Sequence, residues 1–150
     1  MELWEKIKDW ELYEISNQGR IKRNSRYLKM CFDGDGYNHV TLSKNGWRTT
    51  KKIHRLVIEA FTGKDITGKI ICHIDGDKTN NRLDNLYVGN LKSNTLDKYK
   101  HGSTKLTIEQ TIEIKNMDGT HQNIANQFGV SQATITRIKN GTRSKYITQQ

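Results

Sequence analysis

His73 closes a short apolar run, Ile70-Ile71-Cys72. A polar loop then leads to Asn85, which opens a second apolar run at Leu86-Tyr87-Val88. Asn94 follows nine residues later. One imidazole and two amides around a hairpin are a sparse but usable set for cutting a phosphodiester with one metal ion. Such a hydrolysis needs a deprotonated water, neutralisation of the extra phosphoryl charge, and help for the leaving oxygen. A neutral imidazole with a pKa of about 6.5 can take the water's proton near neutral pH. A divalent ion can supply the other two. Taken singly, His73 ahead of Asp75-Gly76-Asp77 reads as a turn, because Asp and Asn side chains hydrogen-bond the nearby backbone. Taken together in this order, His73, Asn85 and Asn94 favour the catalytic reading. The Asp-Gly-Asp run is not a calcium loop, since the spaced acidic ligands and terminal Glu of an EF-hand are missing.

The elements that must hold these residues show in the periodicity. Tyr13-Glu14-Ile15-Ser16, then Asn17-Gln18-Gly19, then Arg20-Ile21-Lys22, suggest a hairpin. Residues 36–53 repeat the pattern, with Asn45-Gly46 as a tight turn in which both positions tolerate positive φ. Leu56, Val57, Ala60 and Phe61 share one helical face, and Gly63 can end that helix. A strand at 69–72, a loop at 74–84, a strand at 86–88 and a polar helix from about 91 to 100 follow. His101-Gly102-Ser103-Thr104 reads as a linker. Beyond it Leu106, Ile108, Ile112 and Ile114 suit a first helix, and residues 120–128 a second. Gly129-Val130 turns, and Ser131 caps a third helix with Ile135 and Ile138 on its buried side.

The chain has 150 residues, of which 33% are hydrophobic, and carries a formal charge of +9. Its length suits one modest domain, or a small domain with a helical appendage. The surplus is spread over both halves, +5 in residues 1–70 and +4 in residues 71–150. Within 120–150 the charged residues are Arg137, Lys139, Arg143 and Lys145, all basic. That distribution points to a polyanion touched along the whole chain. Cys31 and Cys72 form no C-x-x-C pair, so neither a disulfide framework nor a structural zinc site is indicated. No apolar stretch approaches the roughly 20 residues that span a bilayer, and the N-terminus lacks an apolar signal core. A cytosolic location is expected.

The run Cys72-His73-Ile74-Asp75-Gly76-Asp77, with Asn80-Asn81, Asn85-Leu86 and Asn94, resembles the HNH endonucleases. It is most similar to the phage and intron-encoded homing type. His54-Arg55-Leu56-Val57 and Ala60-Phe61 fit that family's lead-in helix. The resemblance implies a ββα-metal core in which His73 is the general base, Asn85 positions it and braces the loop, and Asn94 binds the metal. The metal so implied is Mg²⁺, with Mn²⁺ as the alternative. The residue before the base is acidic in some relatives and is Cys72 here, and a thiol is a poor ligand for magnesium. Either Cys72 is a buried strand residue and a carboxylate such as Asp75 or Asp77 supplies oxygen, or the metal is softer, or metal binds weakly without DNA. Asn80 and Asn81 read as loop braces, and His54 as a packed or phosphate-contacting helix residue.

The flanks resemble DNA-binding parts. Trp4-Glu5-Lys6-Ile7, Tyr13-Glu14-Ile15-Ser16-Asn17 and Gly19-Arg20-Ile21 resemble a modular motif that precedes HNH cores in homing endonucleases. Arg20, Lys22, Arg23, Arg26, Arg48, Lys51 and Lys52 on strands, with Arg55, are candidates for DNA contact. The stretch from Gln122 to Ile138 resembles a helix-turn-helix, with Gln132, Thr136, Arg137 and Lys139 suited to base edges and phosphates. The expectation is an α+β chain with a β-rich module over 1–53, an HNH core over 54–100, a linker over 101–105 and a helix-turn-helix over 106–150. Its function would be site-specific hydrolysis of double-stranded DNA by a monomer, phage-encoded and acting in a bacterial host cell. A dimer or a second encounter would be needed to cut both strands. The alternative is a DNA-binding regulator on an HNH-like scaffold that does not cut, a reading that Cys72 keeps open.

Overall fold

The computed structural model describes residues 1–142 and 147, so Arg143 and Lys145 lie outside the described residues. The chain divides into two compact units, Met1–Asn90 and Leu91–Gln150.

The first unit opens with an antiparallel sheet in chain order, β1 (Trp4–Ile7), β2 (Trp10–Ser16), β3 (Ile21–Arg23) and β4 (Arg26–Tyr27). A second sheet holds β5 (Cys31–Phe32), β6 (Asn38–Lys44) and β7 (Trp47–Lys52). Period-two alternation decides which side chains turn inward: Tyr13 and Ile15 on β2, Val40 and Leu42 on β6. The expected turn between β6 and β7 is present, with Asn45 at φ 52° and Gly46 at φ 82°. That is the two-residue geometry whose twist matches the strands it joins. Trp47 at this tip is 80% exposed.

Helix α1 (Ile53–Thr62) follows β7 directly and buries Ile53, Leu56 and Val57 at helical spacing. It stops where Gly63 adopts φ 63° and its N–H reaches the carbonyl of Glu59. Strand β8 (Ile70–His73) pairs antiparallel with β9 (Leu86–Gly89), placing His73 opposite Leu86 and Cys72 opposite Tyr87. The loop between them ends in a 3-10 turn, Leu83–Asn85. Ile15, Ile21, Val40, Leu42, Val57, Ile71 and Leu86 belong to one hydrophobic cluster. Full burial of a side chain such as Leu42 or Val57 contributes roughly 1.5–3 kcal/mol. Residue 53 therefore marks a change from strand to helix within shared packing.

The second unit holds α2 (Leu91–Lys100), α3 (Ile108–Asn116), α4 (His121–Gln127) and α5 (Gln132–Lys139). Thr107, Thr120 and Ser131 cap the last three, Thr107 through a reciprocal capping box with Gln110. Leu106, Ile114, Ile124, Ala125, Ile135 and Ile138 form its core. On α3 the buried partner of Ile114 is Thr111, whose hydroxyl donates to the Thr107 carbonyl, while Ile112 is exposed. Helix α2 buries no residue, in keeping with its polar sequence.

Candidate active site

His73 ends β8 with its side chain largely buried, at 7% exposure. Its Nε2 lies 3.3 Å from Oδ1 of Asn81. The amide of Asn81 is oriented by a second bond, from its Nδ2 to the carbonyl of Thr79 at 2.9 Å. With the amide oxygen turned to the ring, Nε2 must carry the hydrogen, which leaves Nδ1 with the free lone pair. Burial, the largest influence, pushes the His73 pKa down, and the Asn81 bond and the charges of Asp75 and Asp77 partly oppose it. The ring is neutral at physiological pH, as a base must be.

The loop that carries Asn81 is braced from within by Asn85. Its Oδ1 accepts the Asp75 N–H at 3.2 Å, and its Nδ2 donates to Asp75 Oδ1 and to the Asn80 carbonyl, both at 2.9 Å. Its own carbonyl accepts the N–H of Ile74. Asn85 thus holds the loop, and Asn81, expected as a loop brace, is the side chain bonded to the His73 ring. Asp75 and Asp77 build successive turns: Asp75 Oδ1 accepts the N–H of Asp77, and Asp77 Oδ1 that of Thr79. Asn80 Nδ2 donates to Asp75 Oδ2 at 2.6 Å. Burial is the largest single influence on the Asp75 carboxyl and raises its pKa, but the bonds from Asn85, Asn80 and the Asp77 N–H together outweigh it and hold the group below its usual range.

The turn before Arg20 supports this loop from outside. Gly19 has φ 78°, and a Cβ there would sit 2.9 Å from Cβ of Asn81. Leu83 N–H donates to the Asn17 carbonyl at 2.9 Å. Sequence periodicity carries no signal for such a contact, because it joins segments more than sixty positions apart.

On the other side of His73 stand His54 and Tyr37. The two imidazoles meet edge to face with centroids 5.3 Å apart, and Tyr37 lies 5.1 Å from His54 and 6.1 Å from His73. His54 is 4% exposed, and among the described residues its Nδ1 has no hydrogen-bond partner. Burial, followed by the positive charges of His73 and Lys52, pushes its pKa down to about 3. His54 is a neutral ring packed against His73.

Among the described residues no three His, Cys, Asp or Glu side chains gather as a metal centre. Cys72 is a buried strand residue. Asn94 lies on α2, in the second unit.

The expected DNA-contact residues separate into two groups. Arg48 and Lys51 on β7 and Gln132 and Arg137 on α5 are exposed. Arg20 pairs with Glu2, lying over the rings of Trp4 and Tyr27, while Lys22 pairs with Glu14 and lies 4.2 Å from the Trp4 centroid. Arg23 lies over Tyr13. Arg55 spends its guanidinium internally, on the carbonyls of Lys69 and Ile66 at 3.0 and 2.7 Å. Lys139 likewise reaches the carbonyls of Lys115 and Met117, where α3 ends and a cation suits the helix dipole. The Thr136 hydroxyl is held between the Gln132 carbonyl and the His121 ring.

Comparison with known proteins places this geometry. Residues 51–96 match the family model described as HNH endonuclease, and residues 2–43 match the NUMOD4 motif. The chain is 35% identical over 105 residues to the uncharacterized HNH endonuclease L245 of Acanthamoeba polyphaga mimivirus, covering 69% of this chain but only 32% of that protein. It is 28% identical to DNA endonuclease I-HmuI of Bacillus phage SP01, over 93% of this chain and 91% of that one. Protein 7.7 of Escherichia phage T7 is 31% identical over 57% of this chain and 72% of its own length. A solved structure of the HNH homing endonuclease I-HmuI, which binds and cleaves DNA, matches over 93% of this chain with a TM-score of 0.61 at 27% identity. The chain belongs to the HNH endonucleases and is a member in which a NUMOD4 motif precedes the HNH segment.

Proposed function

We propose that the protein is a site-specific endonuclease of double-stranded DNA in which His73 is the general base and acts through Nδ1. The observation that carries this reading is the Asn81 bond to His73 Nε2, which fixes the tautomer and leaves a basic nitrogen on a neutral ring. In the step we envisage, Nδ1 takes a proton from water as the water's oxygen attacks phosphorus and the 3′-oxygen departs. Asn81 holds the ring in the productive tautomer and steadies the imidazolium that forms. Asn85 keeps the loop in place, and His54 and Tyr37 wall the ring from bulk water.

HNH nucleases generally use a divalent metal ion, which neutralises phosphoryl charge and steadies the leaving oxygen when bound. The donor chemistry here suits a hard ion only in part. The amide oxygen of Asn94 is a suitable donor for Mg²⁺ or Mn²⁺, and DNA phosphate oxygens would add to it. The Cys72 thiol does not suit magnesium, and the Asp75 carboxylate is already engaged in the loop. We therefore assign Asn94 as the ligand and Asp75 as a brace.

DNA contact would fall first to the exposed Arg48 and Lys51 on the β6–β7 ribbon and Gln132 and Arg137 on α5, with Arg20, Lys22 and Arg23 of the first sheet region adding positive charge where they exchange their present partners for phosphate. Residues 1–53 and 106–150, which precede and follow the HNH core in the chain, would act as gripping modules, with a single active site per chain nicking one strand as a monomer. Incubation with supercoiled plasmid in Mg²⁺, Mn²⁺ or EDTA tests the reading: metal-dependent conversion to open circles is expected. The buried thiol in place of a hard ligand favours a second reading, a DNA-binding regulator. Tight binding without a nick in either metal would select it.

A further inference from the structure

The loop between β5 and β6, Asp33-Gly34-Asp35-Gly36-Tyr37, is folded around one carboxylate. Asp33 Oδ1 accepts the N–H groups of Asp35 and Tyr37 at 3.0 and 2.8 Å, and the Gly36 N–H reaches the Asp33 carbonyl. The same loop collects two lysines from distant segments. Lys52, at the end of β7, places Nζ 3.0 Å from Asp33 Oδ2 and 4.2 Å from the Tyr37 centroid. Lys78, in the loop after His73, donates to the Asp35 carbonyl at 2.8 Å and lies 5.0 Å from the same centroid. The Tyr37 ring in turn packs against His54 and His73.

Two ammonium groups over one ring repel each other, so their convergence needs a cause. The ring face attracts both, and Asp33 offsets one charge while its own is shared among backbone donors. Each ammonium has three N–H donors, of which the loop takes one. The remaining donors suit the non-bridging oxygens of a phosphodiester. They also bring positive charge to a site where Cys72 offers no hard oxygen.

We propose that Lys52 and Lys78, held over Tyr37 by the 33–37 loop, form the site that grips the scissile phosphodiester beside His73. The proposal rests on the nuclease reading for its purpose and on the geometry alone for its ligand. Lys52 and Lys78 contact the phosphate, and Tyr37 and Asp33 are positioning residues.

The test is an NMR titration of the full chain in EDTA with dimethyl phosphate, a monoanionic diester. Shifts are expected first at the Tyr37 and His73 rings and at the side-chain ends of Lys52 and Lys78. Lys52→Met or Lys78→Met should weaken the apparent affinity roughly fivefold, the loss of a charge-assisted contact. Lys64→Met, in an exposed loop, should leave it unchanged. Tyr37→Phe should retain binding and Tyr37→Leu should lose it, since only the aromatic face holds the ammonium groups; the spectra themselves report whether each variant is folded. Shifts spread evenly over surface lysines, or affinities indifferent to Lys52→Met and Lys78→Met, would overturn the site. A parallel plasmid assay separates the two claims. Diester binding at the lysine pair in a protein that never nicks sinks the nuclease reading and leaves the site standing. Nicking that Lys78→Met does not slow by roughly tenfold sinks the site and leaves the nuclease.

Discussion

At the scale of the residue, the decisive relation is between His73 and the two groups that set its state. Burial keeps the ring neutral and Asn81 fixes which nitrogen is free. Asn81→Ala removes the bond that raises the His73 pKa, so the acid limb of the pH–rate profile should move to lower pH while the rate falls roughly tenfold. An unchanged limb would separate Asn81 from the base. Acid stability tests the same environment. His54 and His73 both have folded pKa values below the unfolded value of about 6.5. The unfolded chain therefore binds more protons as pH drops, and their contribution to stability is fully present above pH 6.5 and lost below it. For His54 the loss continues toward pH 3, with a slope of up to about 1.4 kcal/mol per pH unit. Urea midpoints should fall between pH 6.5 and about 5.5, where the carboxylates are still almost fully ionised, and His54→Phe should flatten part of that fall. A midpoint constant over the window would contradict the buried neutral pair.

Elements decide what those residues can reach. The turn at Gly19 supports the loop between β8 and β9 at Asn81, at a positive φ and with no room for a Cβ. Gly19→Ala should cost about 1–3 kcal/mol of stability, read from denaturant unfolding, and slow nicking through displaced Asn81. Full activity in that variant would show the contact to be incidental. Much at this scale was legible in advance. Strand alternation, the Asn45-Gly46 turn, the Gly63 helix stop and the Ser131 cap are local signals and appear where expected. The β8–loop–β9 hairpin was legible because apolar runs flank a polar loop. Short pieces such as β4, β5 and the 3-10 turn at Leu83–Asn85 were not, since two or three residues cannot show a period. Nor was the neighbourhood of His73. Asn81, Tyr37, Lys78 and Gly19 come from separate turns and strands and meet only through tertiary packing. The same limit applies to Arg55 and Lys139, whose cations read as DNA contacts until the carbonyls they cap are seen. Arg55→Ala should therefore lower stability while leaving the salt dependence of DNA binding unchanged.

For the whole molecule, charge and partition matter most. The +9 surplus should make DNA binding steeply salt-dependent. Arg48→Ala and Lys51→Ala should each lower the slope of log K against log salt by about 0.9, the signature of one lost phosphate contact. A slope insensitive to both would remove the β6–β7 ribbon from the interface. The first unit has its own hydrophobic core, complete from Ile7 to Leu86. A fragment of residues 1–90 should unfold cooperatively while losing cleavage, because the proposed metal ligand Asn94 and helices α3–α5 are gone. Sequence composition predicts a polyanion partner, and the NUMOD4 and HNH matches place the chain among the HNH endonucleases. The claim on which these modules converge is that His73 is the base. It is tested most directly by the pH dependence of single-turnover plasmid nicking in Mg²⁺ for the wild type and His73→Ala. The account predicts a wild-type rate that rises through a single ionisation below pH 6.5 and then levels, and a His73→Ala rate lower by roughly 10²–10⁴ with that limb gone. A His73→Ala protein that cuts at the wild-type rate, or keeps the same limb, would contradict it.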